Sequence, residues 1–268
     1  MTSDSAIPAS ESVVVVAAEP AFEPAAAAVA RRLGLPLLAV DAWRGGAGGP
    51  VVLWCDAEGL ALRGTAASRA RPVRPVRPLT ARAGRDPLLR AVGRWGEVLD
   101  ATAGLGGDAA TLAAAGRQVT LIERNPVLAA VLADALGRWR AAGVGAAGRM
   151  RLVGGDARDH LAAAAADVVF LDPMYPEPPG GGRARARERA PARKRAARKA
   201  EGPHLLRLLA GDDDDQDELL AVARRAARHR VVVKRPRHAP PLAGRTPNGA
   251  LPGRTVRYDL YAPEEVDP

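Results

Sequence analysis

The sequence predicts an α/β protein: a doubly wound, mostly parallel sheet preceded by a small N-terminal α+β region. Three observations carry this. From Gly96 onward, short apolar runs alternate with helical segments, the pattern of β-α-β units whose crossovers force parallel pairing. Four of those runs, "EVLD", "QVTLIE", "RMRLVGGD" and "DVVFLD", end at a carboxylate, and the ends of such strands are where doubly wound sheets bind ligands. The chain has 268 residues and a single cysteine, Cys55, long enough to bury a core without disulfides.

Residues 1–12 are polar and predict no element. Val13–Val16 reads as a short strand. Ala21–Leu33 is alanine-rich and closes on "RRLG", a helix with basic residues in its last turn and Gly34 as stop. Val51–Trp54 and Leu60–Arg63 flank a turn-like "CDAEG" and predict a hairpin. In "RARPVRPVRPLTARAGR" three prolines at three-residue spacing forbid helix and favour an extended chain. Asp86–Val92 is a short helix, and residues 1–92 are expected to form the small N-terminal region. Residues 93–268 form the main domain. There "EVLD" is a strand, "ATAGLGG" a glycine-rich loop, Asp108–Ala115 a helix, and "QVTLIE" a second strand. The next helix has Asn125 as N-cap, Pro126 in its first turn and Gly143 as stop. "RMRLVGGD" and Asp167–Leu171 are the third and fourth strands. Leu205–Leu209 and Glu218–His229 read as helices, "RVVVKRP" as the fifth strand and "TVRYDLY" as a late antiparallel one.

Composition narrows the class. The N-terminus lacks the basic start and apolar core of a signal peptide, and no run approaches a membrane span, so a soluble cytoplasmic protein is expected. The net charge is +9, yet Gly180–Ala200 alone holds nine Arg/Lys against one Glu and Arg63–Arg90 eight Arg against one Asp. The rest of the chain is therefore net acidic, and two local basic stretches suit an extended polyanion. "GDDDDQD" lacks the glycine and spacing of a calcium loop. His160, His204, His229 and His238 show no metal-ligand spacing, and no metal is expected.

The strand ends outline a nucleoside. Asp100 opens "DATAGLGGD", where Gly104 and Gly107 let the backbone approach a ligand. Glu123 lies 19 residues after Gly104, placed to accept from ribose hydroxyls. Asp156 can accept from the adenine amine or cap the helix that follows it. Both NAD and S-adenosylmethionine contain adenosine, but "GLGGDA" lacks the third glycine of the dinucleotide fingerprint. The fourth strand end decides. An exocyclic amine is a poor nucleophile because its lone pair is delocalised into the ring. Asp172 and the carbonyl of Pro173 can accept its two N–H groups. Tyr175 offers a face for a flipped base.

"LDATAGLGGDAATLAAAG", "LIERNPVLAAVLADAL", "VVFLDPMYP", "RVVVKRP" and "APPLAGRTPNGALPGRTVRYDLYA" together resemble bacterial 16S ribosomal RNA guanine-N2 methyltransferases of the RsmJ type, over roughly residues 84–262. The resemblance implies a Rossmann-like methyltransferase fold, S-adenosylmethionine as donor, and a guanine of small-subunit rRNA as acceptor. It puts cofactor contacts on Gly107 and Asp108, Glu123 and Arg124, Asp156 and Ala157, and Asp172. Members usually carry Arg at the position of Gly107, and small hydroxyl residues where this chain has Asp156 and Ala157. The basic insertion 180–202, with Arg183, Arg185 and Arg187, and the strand-end Lys234 and Arg235 are expected to meet RNA phosphates, although Lys234 can equally pair with a nearby acid. The other readings are an amino-methyltransferase acting on DNA or protein, and a non-catalytic RNA-binding protein on the same fold.

Overall fold

A computed structural model of the chain describes residues 13–66, 70–78, 86–174, 202–210 and 215–264. The chain divides into two compact units, Met1–Arg74 with Met174–Asp212, and Pro75–Pro173 with Asp213–Pro268.

The first unit holds a four-stranded sheet in the order β2-β1-β3-β4, with β1 Val13–Ala17, β2 Leu37–Leu38, β3 Val51–Asp56 and β4 Gly59–Arg63. Helix α1, Glu23–Leu33, stops at Gly34, whose φ of 65° is the left-handed turn anticipated there. The predicted hairpin is present as the antiparallel pair β3–β4. A short helix α2, Val40–Arg44, and strand β2 were not foreseen; α2 buries Trp43 against Trp54, their ring centroids 5.0 Å apart. Val73, in the proline-spaced segment, makes an isolated antiparallel bridge with Leu62.

The second unit is the doubly wound sheet. Its order is β10-β11-β9-β8-β5-β6-β7, with β5 Glu97–Asp100, β6 Gln118–Glu123, β7 Met150–Gly154, β8 Ala166–Leu171, β9 Ala227–Pro236, β10 Gly249–Pro252 and β11 Val256–Tyr261. β5, β6, β7, β8 and β9 pair in parallel, and β11 and β10 complete an antiparallel edge. The order reverses at β5, between β6 and β8, which makes the mouth above those three strands the binding position of this topology. Period-two alternation sends neighbours to opposite faces. Val98, Leu121, Phe170 and Val232 join one buried cluster, and Leu99, Ile122, Leu171 and Val233 join the other. Burial on both faces is why these strands read as continuous apolar runs. Helices α4 Gly107–Ala114 and α5 Pro126–Ala141 cover the first face; α6 Ala157–Ala162 and α8 Gln216–Ala226 cover the second.

Three features differ from the expected layout. Helix α3, Pro87–Val92, buries Leu88, Ala91 and Val92 in one cluster with Val98 and Phe170, so the division falls after Arg74 and not after residue 92. Helix α7, residues 202–210, clusters with the first unit although it follows β8 in sequence. The helix expected to reach His229 ends at Ala226: Ala227 turns to extended backbone and pairs with Ala166, so β9 begins earlier than "RVVVKRP". Among the described residues no helix is long and apolar enough to cross a membrane, and no cluster of metal-ligating side chains occurs.

Candidate active site

The glycine-rich loop is held at both ends. Ala101 N–H donates to the Phe170 carbonyl and Ala103 N–H to that of Ile122, so the chain leaving β5 stays tied to both neighbouring strands. Asp100 is 2% exposed and accepts from the Thr102 N–H at 3.1 Å. Glu123 is also buried. Its Oε2 accepts from the Gly104 N–H at 2.7 Å and its Oε1 from the Asn125 N–H at 2.8 Å. The ribose candidate thus fixes the loop as well, and a carboxylate has about four acceptor positions to divide between the two tasks. Gly106 adopts φ 71° at the start of α4, and a Cβ there would stand 3.0 Å from Leu132 Cδ1. Gly107 has nothing within 4 Å of a would-be Cβ; a side chain has room there.

The fourth strand end meets this loop through two contacts. The Asp172 N–H donates to Thr102 Oγ1 at 2.6 Å. Lys234, one residue beyond the Leu171–Val233 pairing, places its Nζ 2.9 Å from Asp172 Oδ2 and 2.6 Å from Asp108 Oδ2. Tyr258 faces Lys234 across the β9–β11 ladder and is 5% exposed.

Among the described residues, Asp108, Glu123 and Asp172 therefore act on Asp100, and the Lys234 ammonium stands between two of the four carboxylates, Asp108 and Asp172. Burial, with Asp108, Asp172 and Glu123 adding to it, pushes Asp100 up to about 8, the Thr102 N–H opposing. Burial also raises Asp172, against the attraction of Lys234. Lys234 is pulled down by burial but raised above its ordinary value overall by Asp172 and Asp108. The Tyr258 hydroxyl is pushed up to about 12, by burial first and Asp108 next. An excess of carboxylates in a partly desolvated mouth favours a cationic ligand.

Asp156 is the N-cap of α6 and accepts from the Arg158 N–H at 2.8 Å, the capping role the sequence left open. The Arg158 guanidinium grips the same carboxylate through Nε and Nη2 and holds it down at about 2. Arg158 reaches Glu218 at 2.6 Å and Asp215 at 3.5 Å, and Arg124 lies 3.0 Å from Asp215, so these groups lace α6 and the end of β6 to α8. Ala157 is buried at the first position of α6.

Of the residues expected to meet RNA, Lys234 instead spans two acids, the second of the readings left open for it. Arg235 corrects the expectation: strand alternation turns it away from Lys234, it is 2% exposed, and its guanidinium donates to the Pro240 carbonyl. Burial lowers it to about 10. Tyr175, Arg183, Arg185 and Arg187 lie outside the described residues. Sequence reading missed Thr102 and Tyr258. Thr102 carried a signal, a lone hydroxyl between two alanines directly after the strand-end acid; Tyr258 needed the β9–β11 register.

Known proteins resemble this chain over most of its length. The family described as "Putative SAM-dependent methyltransferase" matches residues 73–263. A ribosomal RNA small subunit methyltransferase J of Thioalkalivibrio sulfidiphilus is 42% identical over 88% of this chain and 92% of its own length. A protein of the same name from Alkalilimnicola ehrlichii is 40% identical over 92% and 94%. Among solved structures, a SAM-dependent methyltransferase of Neisseria gonorrhoeae superposes with a TM-score of 0.64 at 26% identity, covering 96% of this chain and 98% of its own.

Proposed function

The chain belongs to the ribosomal RNA small subunit methyltransferase J family, and from that premise we propose that it methylates the exocyclic N2 amine of a guanine in the 16S rRNA of the small ribosomal subunit. It is an S-adenosylmethionine-dependent rRNA methyltransferase. The observation that carries the finer reading is the juxtaposition of Asp172 and Pro173 with the carboxylate-rich mouth above β5 and β6.

S-adenosylmethionine supplies a methyl group on a sulfonium, and its net positive charge fits a mouth with four carboxylates to one ammonium. Asp100, Gly104, Gly107 and Asp108 line the loop that would hold its amino-acid end. Glu123 and Arg124 would hold the ribose, and Asp156 and Ala157 the adenine. At the acceptor, Asp172 takes one N–H of the base amine and the Pro173 carbonyl takes the other, which localises the lone pair toward the methyl group. Pro173 fixes its own φ and so the direction of that carbonyl. Tyr175 would stack on the base, the role its place in the motif suggests. With the donor bound, Asp172 and the Pro173 carbonyl would hold the amine so that an N–C bond could form as the C–S bond breaks, with the thioether as leaving group, and the methylated nitrogen, by then a far stronger acid, would give its proton to water.

The test uses small subunits and naked 16S rRNA from a strain lacking the enzyme. Wild-type protein is expected to leave N2-methylguanosine at one position, located by mass spectrometry of the digested rRNA. Asp172→Ala is expected to lower the rate by about 10²-fold or more, as the loss of an electrostatic catalyst does. Methyl on an adenine or cytosine amine, or no transfer to either substrate, would reject the assignment.

A further inference from the structure

Lys234 is placed unlike a phosphate-binding lysine. Its ammonium stands between two carboxylates from different parts of the site, Asp108 at 2.6 Å on the first turn of α4 and Asp172 at 2.9 Å just past β8. Its own side chain is 23% exposed, against 25% for Asp108 and 38% for Asp172. The contact to Asp172 uses Oδ2, and no described residue engages Oδ1. Thr102 holds the Asp172 main chain from the other side. The acceptor carboxylate is thus fixed at its backbone by the glycine-loop strand and at one oxygen by a lysine anchored on the donor-side helix.

We propose that Lys234 is a positioning residue for methyl transfer: by bridging Asp108 to Oδ2 of Asp172, it sets the rotamer of the acceptor carboxylate and leaves Oδ1 for the base amine. The inference rests on the role of Asp172 in the function proposed above. A second consequence is electrostatic. Among the described residues, the charged and titratable groups that act on Asp172 are Lys234 from β9, Asp108 from α4, Asp100 from the end of β5 and Tyr258 from β11. Lys234 is the one cation among them, so it alone opposes the burial and the carboxylates that favour a protonated, non-accepting Asp172. An RNA phosphate would have to displace two carboxylates to reach this ammonium.

Lys234→Met tests the clamp with two readouts that do not share an origin. In the unloaded protein, carbon NMR of the aspartate carboxyls, with Asp172→Asn to assign the signal, is expected to show Asp172 titrating at least about one pH unit higher in the variant. In single-turnover transfer to rRNA, the acid limb of the pH–rate profile is expected to move up with it. The rate at pH 7 should fall at least about tenfold, while the salt slope of rRNA binding stays unchanged. Lys234→Arg should restore the acid limb and part of the rate. An unshifted Asp172 titration overturns the proposal, as does a salt slope reduced by about one contact with the acid limb in place, which would mark a phosphate ligand. Should the Met variant fail to fold, Asp108→Asn removes the anchor alone. It is expected to lower kcat with KM for rRNA unaltered, and an unaltered kcat overturns the clamp. A wild-type protein that transfers no methyl defeats the proposed function, and the carboxyl titration still decides the clamp.

Discussion

Asp100 is 2% exposed at the end of β5, with three other carboxylates acting on it, and titrates at about 8. A free aspartate titrates near 3.9. At neutral pH the unloaded site therefore carries a proton that a cationic ligand will expel, because added positive charge favours the ionised form. S-adenosylmethionine affinity is expected to rise with pH by up to about tenfold per unit below 8. Calorimetry in buffers of differing ionisation enthalpy should find close to one proton released per cofactor bound near pH 7; no release would refute the placement of Asp100 at the cation. The same group sets a sign for stability. Its folded-state value lies above its unfolded one, so the native protein holds the extra proton between roughly pH 4 and 8, and stability falls across that window as pH rises. Asp100→Asn is expected to flatten both dependences. The strand-end position of Asp100 was readable from "EVLD". Its protonation was not, since it follows from Asp108, Glu123 and Asp172 being gathered by strands that are distant in sequence.

At the scale of the element, the loops of the site depend on the helices they begin. Asn125 caps α5, accepting from the Val127 N–H at 2.9 Å and the Leu128 N–H at 3.1 Å, and its own N–H donates to Glu123. Glu123 in turn holds Gly104. Asn125→Ala leaves buried donors without their acceptor and is expected to cost about 1–2 kcal/mol. Thermal unfolding should show that loss, and Asn125→Asp should recover most of it, since aspartate caps equally well. A neutral Ala variant would mean that water replaces the cap. This helix start was fully legible: Asn, then Pro, then an apolar period. So were β5, β6 and β8, because burial on both sheet faces writes itself as short apolar runs. Strand β10, Gly249–Pro252, was not foreseen; it alternates half-buried and exposed residues and is made a strand by pairing with β11. The end of α8 at Ala226 was likewise invisible, since "AARHR" suits a helix until Ala166 takes Ala227 into the sheet. The ion pairs of Lys234 belong to the same class: a lysine at a strand end reads equally as a phosphate ligand or as the partner of an acid until the acids opposite it are placed.

At the scale of the whole chain, the main basic stretches and the residues of the described mouth are different parts of the sequence. The described mouth is acidic and suited to a cationic donor, whereas the polyanionic substrate must be attracted elsewhere. Of the net +9, residues 180–200 carry nine basic side chains against one acid, and they follow the acceptor motif Asp172–Tyr175 by only a few residues. Lys234 is committed to two carboxylates and Arg235 is buried, which leaves Arg183, Arg185, Arg187 and their neighbours as the sequence's main reservoir of cations near the motif. Each phosphate neutralised releases counterions and contributes about 0.7–0.9 to the slope of log affinity against log salt. Deleting residues 180–200 is therefore expected to weaken rRNA binding most at low ionic strength and to flatten that slope by several contacts. The donor site proposed above draws on the ends of β5, β6, β7 and β8, so S-adenosylmethionine affinity should be unchanged by the deletion. At saturating rRNA the methylation rate should persist, because Asp172, Pro173 and Lys234 remain, and the loss should appear in KM. An unaltered salt slope would move RNA recognition to the other basic stretch, Arg63–Arg90, where substitution of the exposed Arg71 and Arg77 would then be the variant that flattens it.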